Sequence, residues 1–426
     1  MPRPSNGYAA PPMKRAAAQA GQLAPAQNGT ADVNIAPAVP KYNQVVPASS
    51  AANASAFGGS QQQVDFNLPN SIGKGVKYTL QFDVLFTAGA NETPATCYVA
   101  SSASLIDHID YIYAGNVVES IFANTMLYES IVFNSDNEQA QHAAPWAIDV
   151  ATSNEVKPLA FSVPAGGSGA KGTLSKTLLL NLSGVLPSSQ MFIAGCSGQW
   201  TVRVVLASNA LCAANGFVST SGATITLKNL YLWVEEASMS DEAFQSMVQQ
   251  HNSGVNYRSV IRSVFQTAAG SASDTVPIQQ VLTSLKNDSA ALLIWLGRAQ
   301  TADPGYFLSR DVLQYVQLLN ASGSTLTRQL PVGLLENEIA TSTVPLGSNF
   351  VNSPNFTTYI VPWCSSLERV IHAGRVLGGI HMDNTQLVIQ PAASSTDRYI
   401  YVVSYDYCSL RVEQGDVKWA KTAADL

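Results

Sequence analysis

A chain of 426 residues in which 46% are apolar and only 12% charged has the make-up of β-sandwiches with long polar loops, not of a helical enzyme. The length allows two domains and enough apolar residues for two separate cores. The net charge of −6 is unevenly spread. Residues 1–63 carry Arg3, Lys14, Arg15 and Lys41 against Asp32 alone, a net of +3, so the remainder carries −9, and such an acidic body argues against a surface that grips nucleic acid.

Residues 1–63 hold sixteen Ala and eight Pro with no sustained period. They read as an extended arm, disordered or ordered only against a partner. No apolar h-region opens the chain, and no window reaches the ~18 consecutive apolar residues of a membrane span, so the expectation is a soluble, intracellular product. Cys97, Cys196, Cys212, Cys364 and Cys408 are odd in number and scattered, without a CxxC pair. That suits reduced thiols better than a disulfide framework or a zinc site.

The first strand block opens at Val76–Phe86, where Val76, Tyr78, Leu80, Phe82 and Val84 alternate with polar residues. Strands are expected next at Cys97–Val99 and Leu105–Tyr113, then a turn at Ala114-Gly115-Asn116 and a strand at Val117–Ile121. A helix is considered over 122–143. Further strands are expected at Leu174–Leu182, Met191–Ile193 and Trp200–Leu206. The block ends at Ile225–His251, the stretch around which the chain is organised. It alternates to Lys228 and then runs apolar from Leu230 to Val234, which predicts burial on both faces. Ser240 is placed to cap a helix, with Asp241 and Glu242 in its first turn and Phe244, Met247, Val248 and His251 along one stripe.

The second block repeats the plan, with strands expected at Tyr257–Phe265, Thr275–Thr283, Ala290–Leu296, Val312–Leu319, Thr357–Pro362, Gln386–Ile389 and Tyr399–Val412, and a short helix near Leu334–Glu338. In the last strand Tyr399, Tyr401, Val403, Tyr405 and Tyr407 share one face. Opening strands at 76 and 257 and closing strands at 224 and 399 suggest a duplicated fold. The boundaries implied are an arm over 1–68, a first sandwich with its helix over 69–251, a second over 252–417, and a tail over 418–426.

Chemistry is sought and not found. Gly166-Gly-Ser-Gly-Ala-Lys-Gly-Thr173 looks like a phosphate loop, but Gly172 separates Lys171 from Thr173 and the next residues show no helix pattern. Gly195-Cys-Ser-Gly198 lacks the spacing of a nucleophile elbow. His372 and His381, with Asp383, could suggest a cupin-type metal site, yet the Gly-rich turn 374–379 lies between them. His108, His142 and His251 stand alone. Asp107 with Asp110, and Glu235 with Glu236, read as solvated or interface charges rather than an acid/base pair. No catalytic, cofactor-binding or metal residue is assigned.

The stretches Leu105–Ile121 (LIDHIDYIYAGNVVESI), 225–251, Gln279–Leu296 (QQVLTSLKNDSAALLIWL) and Tyr359–Ile389 (YIVPWCSSLERVIHAGRVLGGIHMDNTQLVI) resemble a known family. It is that of the double jelly-roll major capsid proteins, found in tailless icosahedral phages with an internal membrane (the tectivirus and corticovirus-like lineage) and in several eukaryotic DNA viruses. Compactness points to the phage side. The resemblance covers about residues 70–415. It implies an all-β chain of two tandem eight-stranded antiparallel jelly rolls with short helices and long loops. It further implies homotrimers whose six lobes tile a facet of a virion shell, built in the host cytoplasm, with no enzyme activity and no cofactor. The implied partners are neighbouring capsomers, minor capsid or penton proteins and, through the arm, an internal membrane, with no specific nucleic acid. A receptor- or carbohydrate-binding double sandwich and a bicupin enzyme are the competing readings.

Overall fold

Alternation of apolar and polar residues makes the strand Gly75–Thr87 one wall of a sandwich: Tyr78, Leu80, Phe82, Val84 and Phe86 are buried while the residues between them stay half-exposed. The computed structural model describes residues 41–48, 55–56, 63–89, 94–99, 102–123, 125–126, 147–149, 155–157, 159–207, 217–219, 224–253, 255–270, 277–283, 288–297, 313–335, 358–364, 378–391 and 398–420.

Each half of the chain contributes eight principal strands. In the first half they are, in chain order, Lys41–Val45, Gln63–Asn67, Gly75–Thr87, Ile106–Tyr113, Asn116–Phe122, Thr173–Asn181, Trp200–Leu206 and Thr224–Glu236. They form one sheet in which the first, eighth, third and sixth strands are neighbours, and a second made of the second, seventh, fourth and fifth. In the second half the strands are Val255–Gly270, Ile278–Val281, Asp288–Gly297, Leu313–Leu319, Leu330–Pro331, Thr358–Pro362, Gln386–Pro391 and Arg398–Glu413, and they pair in the same two orders. Two sheets wired 1-8-3-6 and 2-7-4-5, all antiparallel, make a jelly roll, and the chain builds it twice.

The duplication is real, but the strands that open the two blocks are not equivalent. Gly75–Thr87 is third in its roll, so its counterpart is Asp288–Gly297, whereas Val255–Gly270 corresponds to Lys41–Val45. The mismatch arises because the first roll begins inside the stretch expected to be an arm. Lys41–Val45, Ser55–Ala56 and Gln63–Asn67 all pair with the first sandwich, so these segments belong to it rather than to the arm expected over 1–68. At the other end Asp416–Ala420 pairs with Ser409–Glu413 and is a strand rather than a tail. Met191–Ile193 is not a strand but leads into a 3-10 turn, Ile193–Gly195. Residues 332–335 are helical, while 336–357 lie outside the described residues, as does most of 122–143.

The first core is filled by Phe66, Tyr78, Phe82, Phe86, Tyr111 and Trp200, all fully buried, and the Trp200 and Tyr113 rings meet at 5.0 Å. Leu292, Ile294, Val316, Leu318, Leu387, Ile389, Ile400 and Val402 make the second. The strand Thr224–Glu236 is not buried on both faces as expected. A bulge at Asn229 (φ 52°) resets its register, and Leu230, Leu232 and Val234 point inward while Tyr231 and Trp233 face partly outward. Its equivalent in the second roll does have that character, since every residue from Ile400 to Asp406 is buried. Three long loops of the first roll each add a short strand, Ala95–Val99, Leu159–Val163 and Phe217–Ser219, and these pair into a separate three-stranded sheet. Among the described residues no helix is long and apolar enough to cross a membrane.

Trp200→Ala should cost about 3–5 kcal/mol, through lost transfer energy and an unfilled cavity. Trp233→Ala should cost only about 1–2 kcal/mol, because its half-exposed ring gives up one hydrogen bond, Nε1 to Gln81 Oε1 at 2.8 Å, and part of its packing. Denaturant midpoints of the two variants, compared with wild type, test that order.

Candidate functional site: the junction of the two sandwiches

Among the described residues, those that could carry chemistry fall in five places. The Gly166–Thr173 stretch is a tight loop folded on itself, since a Cβ at Gly172 would lie 1.7 Å from the Pro164 carbonyl oxygen, and it feeds a strand rather than a phosphate-binding helix. His381 is exposed and sits 2.9 Å from Asp288 Oδ1 at a sheet margin, with exposed Asp383 two residues on; His372 and His142 lie outside the described residues. Among the described residues no cluster of three His, Cys, Asp or Glu side chains is placed to hold a metal.

His108 is not isolated. Its Nδ1 lies 3.0 Å from Asp107 Oδ2 and its Nε2 3.6 Å from Asp110 Oδ2, and its ring leans on Phe122. Ser120 donates to Asp110 at 2.5 Å, and Arg203 on the adjacent strand holds Asp65 through two hydrogen bonds of 2.8 and 3.0 Å. The Asp107 hydrogen bond, with a smaller contribution from the charge of Asp110, raises the His108 pKa above its ordinary value against the opposing effect of burial.

Glu236 and Glu119 are buried carboxylates, Glu236 contrary to the expectation of a solvated charge. Glu236 accepts from the Gly73 amide at 2.9 Å and from Asn43 Nδ2 at 2.8 Å, with Lys41 Nζ at 3.4 Å, so it ties the first strand to the body of the roll. Glu119 accepts from the Val185 amide at 2.6 Å, while Tyr111 donates to the Ser183 carbonyl at 2.5 Å. Buried carboxylates satisfied by backbone amides fix chain paths without doing chemistry.

The fifth place is the centre of the molecule. Ser240 accepts from the Ala243 amide at 3.3 Å to start the helix Asp241–Ser253, whose half-buried Phe244, Met247 and Val248 lead to buried His251. The His251 ring packs on Phe192 at 5.2 Å, and Phe192 meets Phe244 edge-on at 5.3 Å. Against this platform the second roll inserts a hairpin turn. Gln414 and Gly415 both have positive φ (50° and 79°), the geometry of a two-residue hairpin turn between Arg398–Glu413 and Asp416–Ala420. The Gly415 amide donates to the His251 carbonyl at 3.0 Å, and its carbonyl accepts from the Ser197 amide at 2.7 Å and Tyr113 Oη at 3.0 Å. Tyr113 Oη in turn accepts from the Gly198 amide at 2.8 Å. The Gly195–Gly198 motif is thus a socket for another glycine. Leu410, Val412 and Val417, which flank the turn, belong to the hydrophobic core of the first roll. Nothing in the sequence marks Gly415 as more than a surface turn, because its partners lie more than 160 residues upstream.

Comparison with known proteins is informative for the fold. The sequence matches no family model and no curated protein. The structure, in contrast, matches solved virus capsids over nearly its whole length. The PBCV-1 virus capsid aligns with a TM-score of 0.61 at 10% identity, covering 92% of this chain and 99% of that one. The chain is a double jelly roll. The Faustovirus major capsid protein gives 0.61 at 11% identity, over 88% of this chain and 90% of that one. The mavirus major capsid protein gives 0.52 at 10% identity, over 99% and 97%. The double jelly roll here therefore shares its architecture, and very little of its sequence, with these proteins.

The junction and the His108 cluster each give a testable outcome. Gly415→Ala would put a Cβ 2.8 Å from the Gly195 carbonyl oxygen as well as forcing positive φ on alanine, whereas Gly115, with a similar backbone (φ 83°), has nothing within 4 Å. Gly415→Ala should therefore destabilise by about 2–3 kcal/mol and Gly115→Ala by about 1 kcal/mol, read from denaturation midpoints, with faster proteolysis between the rolls only for the former. The raised His108 pKa stabilises the fold fully below its unfolded value of about 6.5 and loses that contribution as pH rises through the folded value. His108→Gln should flatten the dependence of the thermal midpoint on pH above about 6.5, where wild type loses this contribution.

Proposed function

We propose that this double jelly roll is the major structural subunit of an icosahedral virion shell, acting by assembly rather than catalysis. The observation that carries the reading is that two identically wired rolls are packed together in one chain. A chain that presents two equivalent lobes supplies six lobes as a trimer, and a six-lobed plate tiles a hexagonal facet. The capsid proteins whose architecture it shares support the same role.

In this reading neighbouring plates are the main partners, with minor capsid or penton proteins filling the positions where a hexagonal plate cannot fit. The loop-borne sheet of Ala95–Val99, Leu159–Val163 and Phe217–Ser219 gathers three loops of the first roll, which suits a surface projection or a contact between plates. Residues preceding Lys41, basic where the body is acidic, suit the inner side of the shell. There they would clamp neighbouring plates, with contact to an anionic membrane secondary at about 1 kcal/mol for each Lys or Arg.

Mass measurement of the purified protein should give three times the 45.2 kDa chain, and negative-stain images should show pseudo-hexagonal plates. A stable monomer at assembly concentrations would remove the basis for the reading. Deleting residues 2–40 should leave trimers of unchanged thermal stability that form shells poorly; normal shells without those residues would deny them a role in assembly.

A further inference from the structure

The first strand of the first roll is held differently from the other strands of its sheet. Among the described residues Lys41–Val45 is an edge strand that pairs only with Leu232–Glu236. Of its side chains Val45 alone is buried; Tyr42 is 60% exposed, and so is the Val46 that follows, at 61%. The third strand of the same sheet, Gly75–Thr87, buries five large apolar side chains. Beyond the single core residue Val45, Lys41–Val45 has a polar clasp, in which Lys41 and Asn43 both reach Glu236 Oε2. The other oxygen, Oε1, is held by the Gly73 amide of the body. Removing the strand would thus open one carboxylate oxygen to water and leave the other satisfied, so the release does not strand a buried charge.

The vacated position has defined requirements. Side chains two apart lie on one face of a strand, so Glu236 reads a cation and a carboxamide at positions i and i+2, while the bare edge of Leu232–Glu236 supplies the backbone ladder. Of the 23 Lys and Arg residues in the chain, only Lys41 is followed two residues later by Asn, and only Arg298 by the longer carboxamide Gln300. The strand that matches the slot is this segment itself. We propose that Lys41–Val45 is a releasable strap clasped by Glu236, and that the edge it uncovers accepts the same segment of a second copy of this chain. The inference stands whether or not the chain builds a shell.

Tyr42 and Glu235 face each other across the pair, which gives a direct test. Full-length Tyr42→Cys and Glu235→Cys proteins are mixed under mild oxidation. The double variant Tyr42→Cys/Glu235→Cys, which should close within one chain, serves as the geometric control. Mixing each single variant with wild type controls for the native thiols. The expected result is a disulfide-linked pair of chains from the mixture of single variants, forming about tenfold faster when Glu236→Gln is added to the Glu235→Cys chain. Amide hydrogen exchange on the wild-type protein should show residues 41–45 opening faster than the Gly75–Thr87 ladder. Absence of the mixed disulfide while the double variant closes internally would overturn the proposal, and so would exchange in 41–45 as slow as in Gly75–Thr87. If Glu236→Gln prevents folding, the first mixture and the exchange measurement still decide the matter.

Discussion

Gly415 offers one amide and one carbonyl at the tip of a hairpin, and in water each would be satisfied at no structural consequence. Here they are satisfied instead by the His251 carbonyl, the Ser197 amide and Tyr113 Oη, all of them in the first roll. Hydrogen bonds in a buried setting are directional and costly to lose, so three of them around one residue define a position as well as an affinity. Leu410, Val412 and Val417 then add apolar burial on either side of the tip. This contact, together with that of Val185–Ser189 and Asn116–Phe122 against Val255–Gly270, joins the two sandwiches, and any use of the molecule as a two-lobed plate depends on that join.

The surroundings of the tip show how many other elements are recruited to hold it. The helix Asp241–Ser253 carries His251, and Phe192 and Phe244 support its ring. Glycine at 195 is required because a Cβ there would sit 2.7 Å from the His251 side chain. Gly198 is likewise pressed against Tyr113, whose hydroxyl it feeds. A pair of glycines that resembles a catalytic turn in sequence is thus explained by the close approach of two backbones and an imidazole.

Long strands with clear alternation are legible from residues alone. Gly75–Thr87, Trp200–Leu206, Asp288–Gly297 and Arg398–Glu413 lie within a residue or two of the limits their patterns predict, as does the capped helix at Asp241, because periodicity and capping are local signals. Lys41–Val45 carries no such mark, since it contributes one buried side chain and lies in an Ala- and Pro-rich context; what makes it a strand is Glu236, almost two hundred residues away. Trp233 reads as buried because five apolar residues in a row look two-sided, and the left-handed Asn229 that resets their register cannot be seen in the pattern. Glu236 reads as a surface charge for a similar reason, its amide partner at Gly73 being distant in sequence. The junction is illegible altogether, since it joins Tyr113, Ser197, His251 and Gly415 from four separate elements.

The wiring also sets an order of events during synthesis. In each roll the first strand pairs with the eighth, so a sandwich emerging from the ribosome stays open at one edge until its final strand arrives. The first roll can complete its sheet only after residue 236, when Lys41–Val45 finds its partner across most of the domain. The second must wait for Arg398–Glu413, whose sixteen residues zip along Val255–Gly270. Gly415 comes immediately after that strand. The hydrogen bonds that seat this turn in the first roll are therefore among the last to form, after both sandwiches have their closing strands. A chain released early would hold at most one closed sandwich, and so would lack the second lobe.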